Sequence, residues 1–298
     1  MKVHFYRRSD VVTARRASPE LRRRPGHEDR RSPLRLHTLL VETPSSGLVL
    51  VDTGLGSLDY ENIGSRLGWE FAYGWGRPLV DPALAAVHQI KALGLDPGDV
   101  RHIVLTHMDL DHIGGLADFP AAQVHLHRRE LDAATARDGF VARRRYRPSL
   151  RDHGPRFETY ADTGERWFGF EAVRHLKGLP EEILFVPLFG HTHGHSGVAV
   201  QSADGWLLHA GDAYFDPRQI KAARPYVPKK VAAFEAFVTT NRQQRVWNQT
   251  RLRRVWNQTR LRELARTHPE IDIFCAHNPH DFPGDPRPGK ARTSTLTP

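Results

Sequence analysis

The amino-acid sequence predicts an α/β fold made of two β-sheets with covering helices. Three observations carry that expectation. Short apolar, β-branched runs recur along the chain, and each stops abruptly at a polar or small-residue turn. Those turns carry the histidine and aspartate residues. Strand-like and helix-like segments are mixed in order, which disfavours a doubly wound parallel sheet.

The chain has 298 residues, enough to bury a sizeable core, and its 39% hydrophobic and 26% charged residues suit a soluble globular protein. Cys275 is the single cysteine, so no disulfide forms within the chain and a reducing compartment, the cytoplasm, is expected. The basic N-terminus leads into no apolar stretch of the signal-peptide kind. No apolar run approaches the ~20 residues of a membrane-spanning helix. The net charge of +9 comes from scattered arginines, without an RNA-binding or zinc-finger motif, and reads as a solvated surface.

Residues 1–33 read as a basic N-terminal arm or edge strand, with residues 3–6 as its strand-like part. Leu34–Glu42 and residues 47–51 are apolar runs around Pro44-Ser45-Ser46-Gly47, the composition of a hairpin. Asp52-Thr53-Gly54 ends the second run. Asp81 and Pro82 open a helix, Asp81 as N-cap and Pro82 in the first turn, and Gly94 closes it. Residues 102–106 read as a short buried strand, Gln123–His127 as another, and Arg128–Ala136 as the helix after it. The polar stretch 137–167 shows no clear periodicity. Residues 183–188 form a strand, and residues 198–201 and 206–209 form a hairpin followed by Gly211-Asp212. Residues 271–275 are a last strand ending at Ala276-His277. The domain is set at residues 34–285, with 286–298 as a C-terminal tail.

Residues 245–253 are repeated at once as 254–262. At ~100° per residue the repeat turns a helix face by about half a turn. Trp247 and Trp256 are therefore expected on opposite sides, so a single copy can face one core. The preferred reading is a duplication that lengthens a helix at the periphery.

His107, Asp109, Asp111 and His112 stand within six positions at the end of a predicted strand. Alternate side chains of an extended segment share a face, so His107, Asp109 and Asp111 are expected to converge, with His112 following as the chain turns. Ile113-Gly114-Gly115 lets the backbone bend tightly. Neutral imidazole and carboxylate are the donors of a hydrolytic Zn²⁺, Mn²⁺ or Fe²⁺ site. An isolated histidine is more often a surface or core residue; four candidate ligands beside two glycines are not. His191, Asp212 and His277 each follow a strand-like run in a glycine-rich or small-residue turn, as a site built on strand ends requires.

Together these segments resemble the metallo-β-lactamase superfamily, whose signature His-x-His-x-Asp-His is followed by separated His, Asp and His ligands. The resemblance covers roughly residues 34–282. It rests on Leu50-Val51-Asp52-Thr53-Gly54, residues 106–112, residues 190–195, Gly211-Asp212 and Ala276-His277. It implies a four-layer αββα sandwich. It also implies that Asp111, His112 and His277 hold one metal ion, that His107 and His191 hold another, and that Asp212 bridges both. Asp52 is then a support behind the ligands, His195 steadies its loop, and His193 faces solvent. One position departs from the signature: Asp109 stands where the second histidine is usual. A carboxylate there can still ligate, but it adds negative charge, weakens the metal as a Lewis acid and favours harder metals than zinc. The expected cofactor is one or two Zn²⁺ ions, with Mn²⁺ or Fe²⁺ as the alternatives that Asp109 opens.

Within the superfamily the look is lactonase-like, on the strength of Gly211-Asp212-Ala213-Tyr214 and the aromatic residues 69–76. The expected reaction is hydrolysis of a small-molecule ester or lactone by a metal-bound hydroxide. Asp212 orients it, Asp111 accepts a proton, and Tyr214 hydrogen-bonds a substrate carbonyl. Tyr214 reads equally well as a buried structural residue. Residues 69–76 read either as a wall for an apolar substrate or as ordinary loop packing. Two other classes stay open: a nuclease or phosphodiesterase of the same fold, suggested by the basic charge, and a non-catalytic metal-binding protein in which Asp109 marks a decayed site. Gly194-His195-Ser196-Gly197 falls short of a serine-hydrolase elbow, and no P-loop is present. The expected partner is the small substrate, without nucleic acid or membrane, and a homodimer is the assembly to test.

Overall fold

A computed structural model describes residues 2–11, 34–202, 205–222, 224, 226–227, 229, 232, 244–278 and 281. Two six-stranded sheets form its centre. The first runs in chain order through β1 (Lys2–Val11), β2 (Leu34–Glu42), β3 (Leu48–Val51), β4 (Val100–Val104), β5 (Gln123–His127) and β6 (Arg156–Tyr160). Pairing is antiparallel from β1 to β3 and parallel from β3 to β6. The second holds β7 (Glu165–Trp167), β8 (Phe170–His175), β9 (Ile183–Pro187), β10 (Ser196–Ser202), β11 (Gly205–His209) and β12 (Asp272–Phe274). It is antiparallel up to β11, and β12 closes it in parallel.

Strand β3 shows why the layers form. All of Leu48–Val51 is buried. Alternate side chains of a strand point to opposite faces, so Leu48 and Leu50 join the outer core under the helices while Val49 and Val51 face the second sheet. From the second sheet Ile183, Phe185, Val198 and Val200 point inward, and Leu184, Val186 and Ala199 point outward. A strand buried on both faces reads as a continuous apolar run, which is how these strands are recognisable in the sequence. Truncating Leu50 or Ile103, both 0% exposed, to alanine is expected to cost about 2–5 kcal/mol.

The first outer core lies under α1 (Ser57–Glu61), α2 (Ile63–Leu67) and α3 (Ala86–Ala92), through Tyr60, Ile63, Leu67 and Ile90. Three further helices are α4 (Leu110–Ile113), which follows β4, and α5 (Arg128–Ala136) and α6 (Gly139–Arg145), which follow β5. The second outer core lies under α7 (Gln244–Thr267), through Leu261 and Leu264. The order is αββα. No helix among the described residues is long and apolar enough to cross a membrane.

Three expectations change. The helix expected from Asp81 is two pieces: Asp81 caps a 3₁₀ turn, Pro82–Leu84, through Ala83 N–H, and extended Ala85 separates it from α3. The unassigned stretch 137–167 contains α6, β6 and β7. α6 has no fully buried residue and β6 only Tyr160, so neither has the two-sided burial that would leave an apolar signature.

The repeat changes most. Both copies lie on α7. In the second copy Arg254, Asn257 and Leu261 are buried, while Trp256 is 63% exposed. Asn257 Nδ2 donates to Phe189 O (2.6 Å) and Gln258 Nε2 to Ala213 O (2.9 Å). The second copy thus clasps the loops that carry His191 and Asp212, rather than lying at the periphery. Gly190, at φ 137°, admits this approach: a Cβ there would meet Arg254 N at 2.5 Å. The Trp247 side chain, residues 12–33 and the proposed tail 286–298 lie outside the described residues.

Candidate metal centre

The centre is built from the loops after β4, β9, β11 and β12. After β4 the chain is captured by Asp52, which sits in the left-handed region at φ 54°. Thr106 N–H donates to Asp52 Oδ1 (2.8 Å) and Thr106 Oγ1 to Oδ2 (2.7 Å). The hydroxyl proton is thereby used, so His107 Nδ1–H donates to Thr106 Oγ1 (2.9 Å). His107 Nε2 then carries a lone pair, and it is buried without a hydrogen-bond partner among the described residues.

Asp109 is the N-cap residue of α4, but its side chain accepts no cap hydrogen bond. Helical geometry starts at Leu110, and this overturns the expected convergence of His107, Asp109 and Asp111. The turn carries Asp111 to the His277 side, while the His112 ring stays 4.0 Å from that of His107. Two triads result, His107/His191/Asp212 and Asp111/His112/His277, each with donor atoms within 4.8 Å of one another. Asp109 joins the first side, with Oδ2 3.0 Å from His191 Nε2 and 3.5 Å from His107 Nε2.

Asp212 lies between the triads. Its Oδ2 faces His191 Nε2 (3.4 Å) and His107 Nε2 (3.9 Å). Its Oδ1 faces His277 Nε2 (3.2 Å) and His112 Nε2 (3.5 Å). His112 Nδ1 is 2.8 Å from Asp52 Oδ2, which turns Nε2 into the cluster. Asp111 Oδ2 is 3.6 Å from His277 Nε2. A buried carboxylate ringed by imidazole nitrogens, one of them orphaned, is a donor set that fits divalent metal ions.

The electrostatics of the two sides differ. Burial alone would raise Asp212, yet His277, His112 and His191 hold it well below the usual carboxylate range. Burial works to lower His112, but Asp212, Asp52 and Asp111 push it up to about 10. His191 goes the other way: burial takes it down to about 3 despite Asp109 and Asp212.

The other expected residues are placed as follows. His195 is buried; Asp212 N–H donates to its Nε2 (2.9 Å), so its Nδ1–H donates to Leu188 O (2.9 Å). Gly211, at φ 53°, lies against the same ring, where a Cβ would come within 2.6 Å of His195 Nε2. His193 is exposed. Tyr214 corrects the expectation of a substrate-binding hydroxyl: the residue is 0% exposed and its hydroxyl donates to Asp281 Oδ2. In the aromatic segment Phe71 is buried, while Trp69 and Tyr73 are exposed and stack on each other. A surface depression lined by Trp167, Trp206, Glu165 and Glu182 shares no residue with the centre.

Two residues escaped the sequence reading. Glu130 is 0% exposed. Its Oε1 accepts from Met108 N–H (3.0 Å) and Tyr146 Oη–H (3.2 Å), and its Oε2 from Gly194 N–H (2.9 Å). It ties the loop of His107 to the loop of His191. Arg145 Nε lies 3.1 Å from Asp109 Oδ1. The arginine-rich stretch 143–147 was the available signal, and it reads as surface charge.

Residues 33–277 match the sequence profile of the metallo-beta-lactamase superfamily. The chain belongs to that superfamily. Over 244 residues it is 42% identical to a probable metallo-hydrolase of Mycobacterium tuberculosis, covering 82% of this chain and 74% of the relative. Over 124 residues it is 31% identical to the N-acyl homoserine lactonase AttM of Rhizobium radiobacter, covering 42% and 44%. A solved N-acyl homoserine lactone hydrolase, with the product N-hexanoyl-L-homoserine at its catalytic metal center, aligns with a TM-score of 0.60 over 93% of each chain at 20% identity. That likeness is one of fold. This superfamily member is a metal-dependent hydrolase.

Proposed function

We propose that the protein hydrolyses a small-molecule carboxylic ester or lactone. The observation that carries the reading is Asp212, whose two carboxylate oxygens face the two triads separately. One metal ion, Zn²⁺ in the first place and Mn²⁺ or Fe²⁺ as alternatives, would be held by His107, Asp109 and His191. The other would be held by Asp111, His112 and His277. When bound, the ions supply a Lewis acid for the carbonyl and lower the pKa of the attacking water.

The chain's own residues do the rest. Asp212 accepts a hydrogen bond from the water and holds it between the two sides. Asp111 Oδ2, 3.6 Å from His277 Nε2, takes the released proton. Asp52 keeps His112 in the tautomer that presents Nε2. Lactone hydrolysis is the first choice because several similar proteins are named lactonases. With Cys275 as the single cysteine, the cytoplasm is the compartment that goes with this reading.

The test is a panel of lactones, thioesters, β-lactams and phosphodiesters, run on protein reconstituted separately with Zn²⁺, Mn²⁺ and Fe²⁺. Chelator-sensitive turnover of lactones or esters is the expected result. Turnover of phosphodiesters alone moves the reading to a nuclease-like activity. No turnover at full metal occupancy replaces it with a non-catalytic role.

A further inference from the structure

We propose that Arg145 is a positioning residue whose charge makes Asp109 the electrostatic equivalent of a neutral histidine ligand. The inference rests on the metal-binding reading above and deepens it.

The geometry divides the Asp109 carboxylate in two. Arg145 Nε takes Oδ1 at 3.1 Å, with the two side chains only 14% and 17% exposed. Oδ2 is left to face His191 Nε2 at 3.0 Å and His107 Nε2 at 3.5 Å. Arg145 lies on the Oδ1 side as an ion pair and not as a hydrogen-bond donor, which leaves Oδ2 as the oxygen that faces the imidazoles. Its Nη1 also donates to His191 O (3.3 Å), so one side chain touches both ligand loops on this side.

The guanidinium is held in place by its neighbours. Tyr146 is buried and donates to Glu130, which itself accepts from Met108 and Gly194 N–H. On the other side Arg144 pairs with Glu70 at 2.6 Å. The end of α6 is thus pinned before and after Arg145. Burial works to raise Asp109, and Arg145, the largest of the charges acting on it, helps keep it ionised.

Carboxylate and guanidinium cancel, and a neutral imidazole carries no charge, so Asp109 with Arg145 leaves the centre as cationic as a histidine would. Either partner alone does not. Asp109 without Arg145 leaves an extra negative charge; a histidine beside Arg145 leaves an extra positive charge next to a divalent ion.

The test uses Co²⁺ affinity, read by its visible absorption in competition with a chelator. The full chain carries His277→Ala, which leaves the His107/His191 side to titrate. Asp109→His alone is expected to weaken Co²⁺ binding at least about tenfold, because the uncompensated guanidinium repels the ion. Adding Arg145→Met is expected to bring affinity back to within about threefold of the Asp109/Arg145 parent, and Arg145→Lys alone, which keeps the charge, to stay within a similar range. Thermal melts of each metal-free variant separate misfolding from weakened binding, and Arg145→Gln, which also removes the charge, stands in if Arg145→Met does not fold. If Co²⁺ binds the parent and the Asp109→His loss is the same whether Arg145 is kept or carries the Arg145→Met substitution, the counter-charge is refuted while the metal reading stands. A parent that binds no Co²⁺ refutes both.

Discussion

The two sides of the centre share Asp212 but prepare for a cation differently. On the His107/His191 side, burial drives His191 down to about 3, and the negative charge of Asp109 is met by Arg145. The Asp109 charge on this side is balanced before any ion arrives. On the Asp111/His112/His277 side, burial is outweighed by Asp212, Asp52 and Asp111, and His112 rises to about 10. An imidazole must be neutral to ligate, so this side has to release a proton to take a metal. Metal affinity there should climb with pH more steeply than on the His191 side. Similar ligand types therefore give unlike sites, because the surroundings decide which charge is already present.

The largest effect should come from the shared residue. Asp212→Ala is expected to lower metal content on both sides and to cut turnover by roughly 10³-fold or more. Elemental analysis of the dialysed protein alongside rate measurements checks this. Loss from one side alone would break the idea of a shared carboxylate.

Asp52→Asn acts directly on one side and only through Thr106 on the other. Its direct ligand partner is His112 Nδ1, at 2.8 Å, and losing such an orienting carboxylate is expected to weaken metal binding there about 10–100-fold. Chelator competition should show the His191 side changed far less. Equal weakening of both would mean that the two sides do not act independently.

Glu130→Gln probes the other side. The carboxylate accepts from Met108 N–H, Gly194 N–H and Tyr146, and an amide can offer an oxygen to only part of that set. A loss of about 1–3 kcal/mol in unfolding free energy is expected, measured by denaturant titration. Metal affinity should fall first on the His107/His191 side, since Glu130 links those two loops. A fall confined to the His112 side would contradict that assignment.

A further effect should appear on the metal-free protein. His112 has an ordinary value of 6.5 and a folded value of about 10. The folded state holds this proton more tightly than the unfolded chain. Its contribution to stability is therefore whole below 6.5 and is lost as pH rises toward 10. His277 is raised too and acts with the same sign. The melting temperature of chelator-treated protein should fall across that window, and that of metal-loaded protein should fall less, its proton having already left. A flat metal-free profile would remove the proposed difference between the two sides.

Much of this centre was legible because the chain writes it locally. His107, Asp109, Asp111 and His112 are neighbours in sequence, and Gly211-Asp212 and Ala276-His277 mark strand ends by their small residues. Apolar runs buried on both faces gave away most of the strands. What the local reading missed has a common cause. Extended spacing was carried through Asp109 into Asp111, but helical geometry begins at Leu110 and sends the two carboxylates to different sides of the centre. Tyr214 sits beside the ligand loop in sequence, yet its hydroxyl is taken by Asp281.

The sequence alone determined two sheets with covering helices and the identity of the candidate ligands, because these depend on short-range pattern; the αββα layering came with the resemblance to the superfamily that motif spacing carries. Tertiary structure decided what charge each side carries and which distant residues support it. Arg145 reaches Asp109, Glu130 reaches Gly194, and the second nonamer copy reaches the loops of His191 and Asp212. Those contacts join residues far apart in the chain, and electrostatic coupling depends on distance in space and on burial, neither of which a linear pattern contains.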